Sequence, residues 1–145
     1  MRKMIVPASA EELANVQSFI DSELEAHGFP AREQLGVDIA VEEIFVNIAT
    51  YAYTPEIGEA EVTVDVADDA ATPENDATLT VTVTFSDGGK PFDPLKKEDA
   101  DTSPEALMGR EGGLGILMTK RIMDELEYSY ERGRNILTMK KRIVR

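Results

Sequence analysis

The chain has 145 residues, 42% hydrophobic and 30% charged, which is long enough for one domain with a real core. Its 28 acidic against 15 basic residues give a net charge of −13. That argues against nucleic acid or an anionic membrane as the main partner, because both need a dominant basic face. Cysteine is absent, so disulfides, thiolate nucleophiles and cysteine-based metal sites are excluded.

The chain opens with RKMIVPA, which reads as a short strand. MRKMIVPAS lacks the apolar core of a signal peptide, and no apolar run is long enough to span a bilayer. The cytoplasm is the expected location. SAEELANVQSFIDSELEAHG reads as a helix: Ser9 can cap it, Glu12 stands at the capping-box position, and Leu13, Val16, Phe19, Ile20 and Leu24 recur at helical spacing. His27, the only histidine, falls at the turn before GFP with no nucleophile motif nearby, which leaves no basis for a Ser-His-Asp triad. Gly28 ends the first helix and Pro30 starts a second, residues 31–53, with Val37, Val41, Ile44 and Ile48 as its apolar stripe. Pro55 and Gly58 stop it.

EAEVTVDVAD and ATLTVTVTFSD alternate with period two and are rich in β-branched residues, the pattern of two half-buried strands joined by a long polar loop. Residues 88–113 then carry glycine, proline and charge with little periodicity; a stretch of that length inside a compact domain is usually functional or disordered. LGILMTKRIMDEL predicts a helix, and EYSYERGRNILTMKKRIV a closing hairpin that turns at Gly133. The order β-α-α-β-β-loop-α-β-β points to an α+β two-layer sandwich, with helices on one face of a mostly antiparallel, mixed sheet. Neither a repeat nor a domain boundary is visible, so residues 1–145 are expected to form a single domain. Charge is uneven along it: residues 113–145 hold 8 basic and 4 acidic residues (net +4), leaving 7 and 24 for residues 1–112 (net −17). The basic end suits either an anionic ligand or a solvated edge.

Three clusters can carry chemistry. In VEEIFVNIATYAY, Glu43 and Asn47 are four apart and share a helical face with the small residues Gly36 and Ala40. Glu43 can act as a base, and the carbonyl oxygen of Asn47 suits a hard cation such as Mg²⁺; the plainer reading is a solvated acid and amide. SDGGKPFDP directly follows a strand, so Asp87 sits at the strand end while Gly88 and Gly89 let backbone approach a ligand. A carboxylate there accepts well from an exocyclic amine such as that of adenine; the alternative is an ordinary turn. GREGGLGI puts Gly112, Gly113 and Gly115 at a helix start, where free N–H groups and the helix dipole attract phosphate; the alternative is a flexible lead-in. This is neither the Rossmann nor the P-loop spacing.

In this order the three clusters resemble the N box, G1 box and G2 box of the GHKL, or Bergerat-fold, ATP-binding domains. The match runs from the first helix to GRNILTMKKRI in the last strand. Within that superfamily the chain looks most like the bacterial anti-sigma-factor serine/threonine protein kinases. Pro91 in KPFDP stands where histidine kinases usually carry a second glycine, and Thr50 in IATYAY where they often carry lysine. A helical dimerisation domain with a phosphoacceptor histidine is not expected either.

The resemblance implies ATP and Mg²⁺ as cofactors, and a role for each matching residue. Glu43 would be the general base, Asn47 the Mg²⁺ ligand and Asp87 the reader of the adenine amine, with Gly89 allowing close approach. Gly112, Gly113, Leu114 and Gly115 would hold phosphates, Lys120 or Arg121 would add charge, and residues 95–111 would form the ATP lid. Glu42 would be a solvated neighbour or a partner that supports the site from behind. Phosphoryl transfer suits this inventory, since it depends on positioning and charge neutralisation more than on covalent chemistry.

The implied substrate is a small STAS-type anti-anti-sigma protein, with a sigma factor as a second partner and a homodimer as the assembly; direct nucleic-acid or membrane binding is not expected. Two other readings stay open: a nucleotide-dependent regulatory binding module without efficient kinase activity, and a detached catalytic domain of a histidine-kinase-like pathway.

Overall fold

The computed structural model describes residues 1–53, 56–96 and 114–145. In chain order these form β1 (Arg2–Pro7), a single 3-10 turn (Ala10–Glu12), α1 (Leu13–Ala26) and α2 (Ala31–Tyr51). There follow β2 (Glu59–Asp69), β3 (Thr78–Asp87), a second 3-10 turn (Pro94–Lys96), α3 (Leu114–Ile122), β4 (Glu125–Glu131) and β5 (Arg134–Val144). The sheet runs β1-β2-β3-β5-β4. The expectation of a mixed sheet is refined: every pairing among the described residues is antiparallel.

Alternation fixes which face is buried. Val62 and Val64 on β2, Leu79, Val81, Val83 and Phe85 on β3, and Leu137 and Met139 on β5 all turn inward. They share one core with Val16, Ile20 and Leu24 of α1, Val37, Val41, Ile44 and Phe45 of α2, and Ile116 of α3. Truncating a fully buried member such as Ile20 to alanine costs about 2–5 kcal/mol. On the opposite face β3 carries Thr80, Thr82 and Thr84, half-buried and polar.

The helix ends follow local chemistry. Gly28 adopts φ 77°, a left-handed cap that lets Phe29 N–H reach the Leu24 carbonyl at 3.0 Å. The start of α1 differs from a capping box. Ser9 Oγ accepts from Glu11 N–H at 3.4 Å, the Ser9 carbonyl takes Glu12 N–H, and the Glu12 carboxylate binds Asn15 Nδ2 at 2.9 Å. The 3-10 turn shifts the frame by which a box would close.

α3 is shorter than its pattern predicts. It stops at Ile122 because Asp124 is captured by β5: its N–H donates to Lys140 O at 2.8 Å, and its carboxylate accepts Arg142 N–H at 2.6 Å. Glu125 and Leu126 therefore join β4. The β4–β5 hairpin turns on Arg132 (φ 54°) and Gly133 (φ 77°), a two-residue loop of the left-handed kind that matches strand twist.

Between α1 and α2, Asp21 and Asp38 face each other, and one carboxylate oxygen of each is buried without a hydrogen-bond partner among the described residues. Burial first, then the Asp21 side chain and the charges of Asp21 and Glu25, push the Asp38 carboxyl from 3.8 up to about 8.

Candidate functional site

α2 and α3 run antiparallel and very close. A methyl group on Gly36 would lie 3.2 Å from Ile122 Cγ2. Seven residues further along α2 and seven back along α3, a methyl on Gly115 would collide with the Glu43 carboxylate. Gly36 of α2 and Gly115 of α3 thus let the two helices approach closely. Glu43 is half-buried against the first turn of α3, whereas Glu42 is exposed. Asn47, one turn on, donates through Nδ2 to the Glu43 carbonyl at 2.9 Å and to Glu43 Oε1 at 3.4 Å. Its nitrogen is committed to its own helix, which leaves the carbonyl oxygen as the group it can offer to the cavity it lines.

That cavity lies between α2 and the ends of β3, β4 and β5. Ile44 and Ile48 of α2, Phe85 of β3 and Leu137 of β5 give it an apolar lining, and Phe92 and Pro94 close it from the loop after β3. Four polar side chains reach it: Asn47, Asp87, Tyr128 and Asn135. An apolar cavity with a few fixed polar groups is the usual form of a small-molecule site.

Asp87, 3% exposed, ends β3. Its Oδ1 accepts from Gly89 N–H at 2.9 Å and from Asn135 Nδ2 at 3.0 Å. Glycine is required at 89, because a side chain there would run into the carbonyl of Ala52, whose oxygen also receives Lys90 N–H at 2.9 Å. Tyr53 ties the same loop from the other side: its hydroxyl accepts Gly88 N–H at 2.8 Å and donates to Glu59 O at 2.7 Å. Phe92 also meets Tyr51, with ring centroids 5.4 Å apart.

Asn47, Asp87 and Gly89 therefore meet at one cavity. Glu43 and Gly115 meet each other between α2 and α3, one turn along α2 from Asn47, and neither lines the cavity. Lys120 and Arg121 stand in the last turn of α3, the opposite end from Gly115, where a positive charge complements the helix dipole. Leu114 begins α3. Gly112 and Gly113 lie outside the described residues, as does the expected lid beyond residue 96.

Two site residues escaped the sequence reading. Asn135 is 7% exposed and pairs directly with Asp87 across β3 and β5. Its one signal was a polar residue at the inward phase of a strand whose next inward positions are Leu137 and Met139. The Tyr128 hydroxyl donates to Asn135 Oδ1, and burial pushes its phenol above the ordinary value.

A hard cation such as Mg²⁺ keeps several waters and needs only one or two protein oxygens beside ligand phosphates. The carbonyl oxygen of Asn47 fits that requirement. Among the described residues no group of three acidic or histidine side chains forms a closed metal cage.

Comparison with known proteins agrees with this geometry. Residues 6–141 match the family described as histidine kinase-like ATPase domain. The chain is similar to the serine-protein kinase RsbW of Bacillus cereus (strain ZK / E33L), at 25% identity over 142 residues, covering 95% of this chain and 82% of the relative. It matches RsbW of Bacillus thuringiensis subsp. konkukian (strain 97-27) and of Bacillus mycoides (strain KBAB4) at the same identity and coverage.

Proposed function

The chain belongs to the histidine kinase-like ATPase domain family, and from that membership we propose that it is an ATP- and Mg²⁺-dependent serine/threonine protein kinase acting on a small STAS-type anti-anti-sigma protein. One observation carries the reading furthest. A buried carboxylate (Asp87) and an amide whose carbonyl has no partner among the described residues (Asn47) share an apolar cavity, and a second carboxylate (Glu43) lies one turn from Asn47 on α2, against the start of α3. The similarity to serine-protein kinases supports the same direction.

In this reading Asp87 accepts the amino group of adenine between the apolar walls, and Gly89 keeps the loop close. Asn47 holds Mg²⁺, which when bound neutralises triphosphate charge. Glu43 takes the proton of the substrate hydroxyl as it attacks. Gly112, Gly113, Leu114 and Gly115 bring backbone N–H groups to the phosphates at the start of α3, whereas Lys120 and Arg121, in its last turn, are too far along the helix to share that contact. A single domain over residues 1–145, a lid over 95–111, a homodimer, sequestration of a sigma factor and a cytoplasmic location belong to the same proposal. No described helix is long and apolar enough to cross a membrane.

A second reading, a nucleotide-dependent regulatory module, is favoured by one detail. The Glu43 carboxylate rests on the first turn of α3, where phosphate would otherwise sit. Labelled ATP and a purified STAS-fold partner separate the two. Acid-stable label on the partner supports the kinase; nucleotide-dependent co-elution without label supports the module; acid-labile label points to histidine phosphorylation. For the kinase, Glu43→Gln keeps ATP binding and lowers transfer by about 10²–10⁴-fold, the usual share of general-base catalysis, while Glu42→Gln changes neither. Equal transfer by the two variants would remove Glu43 from the role.

A further inference from the structure

We propose that Asn135 is a positioning residue that sets nucleobase specificity: it locks the Asp87 carboxylate so that one free oxygen is presented to the cavity, and thereby selects a base edge bearing an amino group over one bearing a carbonyl oxygen. The inference rests on the nucleotide reading above and concerns a residue that does not itself need to touch the base.

The amide of Asn135 uses its whole hydrogen-bonding capacity. Nδ2 donates to Asp87 Oδ1 at 3.0 Å and to Lys90 O at 2.7 Å, with Gly89 O further off at 3.5 Å. Oδ1 accepts Phe92 N–H at 3.1 Å and the Tyr128 hydroxyl. Two acceptors at one end and two donors at the other leave a single satisfied orientation. Turning the amide over would set its carbonyl against a carboxylate and its NH₂ against an N–H.

The consequence falls on Asp87. Its Oδ1 receives two N–H donors, from Asn135 and Gly89, while Oδ2 has no hydrogen-bond partner among the described residues. Asp87 lines the cavity. An ionised carboxylate only accepts, so the free oxygen attracts an N–H and repels a carbonyl oxygen. Asn135 fixes which oxygen is free and where it points. Through Lys90 and Phe92 it also holds the loop that walls the cavity. Without the amide the carboxylate can rotate and hydrate, and discrimination between base edges weakens.

Calorimetry with Mg-ATP and Mg-ITP tests this, because inosine carries a carbonyl oxygen where adenine carries an amino group. The wild-type chain should prefer ATP. In Asn135→Ala, ATP affinity should fall about tenfold, the worth of one lost hydrogen bond, with ITP affinity nearly unchanged, so that the preference collapses. A purely structural role would weaken both nucleotides together, and that result overturns the proposal, as does a preference that survives intact. A wild-type chain that binds neither nucleotide overturns the nucleotide reading itself, without recourse to any variant. If circular dichroism finds Asn135→Ala unfolded, Tyr128→Phe serves instead. It removes one of the two donors holding the Asn135 carbonyl, and should reduce the ATP preference by about two- to fivefold; an unchanged preference overturns the proposal.

Discussion

Asp38 shows how a single side chain can tie stability to pH. Its carboxyl is pushed up to about 8 by burial and by Asp21 and Glu25. A folded-state value above the unfolded one means that the native chain holds a proton which the unfolded chain releases. The stabilisation is complete below about pH 4 and is lost as pH rises through about 8. Asp38→Asn keeps a neutral donor facing Asp21 and removes the titration. Melting temperatures of the two proteins should therefore diverge between pH 5 and pH 9, with wild type falling more steeply; parallel curves would show that the pair is solvated and independent. Residue-scale legibility was uneven in the same way. Glu43 and Asn47 were visible because helix periodicity puts i and i+4 on one face. The bond between Asn135 and Asp87 spans 48 residues of sequence and depends on strand register, which no local pattern specifies. Nor did spacing reveal that Asp21 and Asp38 would oppose each other across two helices.

At the scale of elements, the strands and first two helices follow from alternation, apolar stripes and glycine or proline stops, whereas the end of α3 does not. MDEL continues a helical stripe, yet Asp124 finds both a backbone acceptor and a backbone donor on β5, and tertiary pairing overrides the local tendency. Gly28 gives a clean test of an element boundary. Its φ is 77°, and no atom lies within 4 Å of where a side chain would begin. Any cost of Gly28→Ala is thus conformational, about 1–2 kcal/mol for forcing a left-handed alanine. Urea denaturation should find that loss, with Gly28→Asn recovering part of it because asparagine tolerates this region better. An alanine variant as stable as wild type would mean that the α1 cap relaxes to another conformation.

For the molecule as a whole, the sheet and the helices were expected as two layers, and they are. The sequence could not specify strand order, because β5 enters between β3 and β4 only once non-local pairing is satisfied. Ligand linkage offers a global test of the site. A nucleotide that binds only the folded chain, supplied at about a hundred times its Kd, stabilises by about 2.7 kcal/mol. Thermal unfolding should shift upward with Mg-ATP and less with ATP and a chelator. In Asn47→Ala the difference between the two conditions should disappear; an undiminished Mg²⁺ effect would move the cation ligand elsewhere.

The ten-pair ladder between β3 and β5 runs from Thr78 opposite Val144 to Asp87 opposite Asn135. The site lies at the last rung, so it works as a vernier for the sheet. A slip of one residue sends every side chain of a strand to the other face. Such a slip would pull the amide away from the carboxylate and expose Leu137 and Met139 together. Ligand recognition therefore doubles as a readout of correct strand alignment.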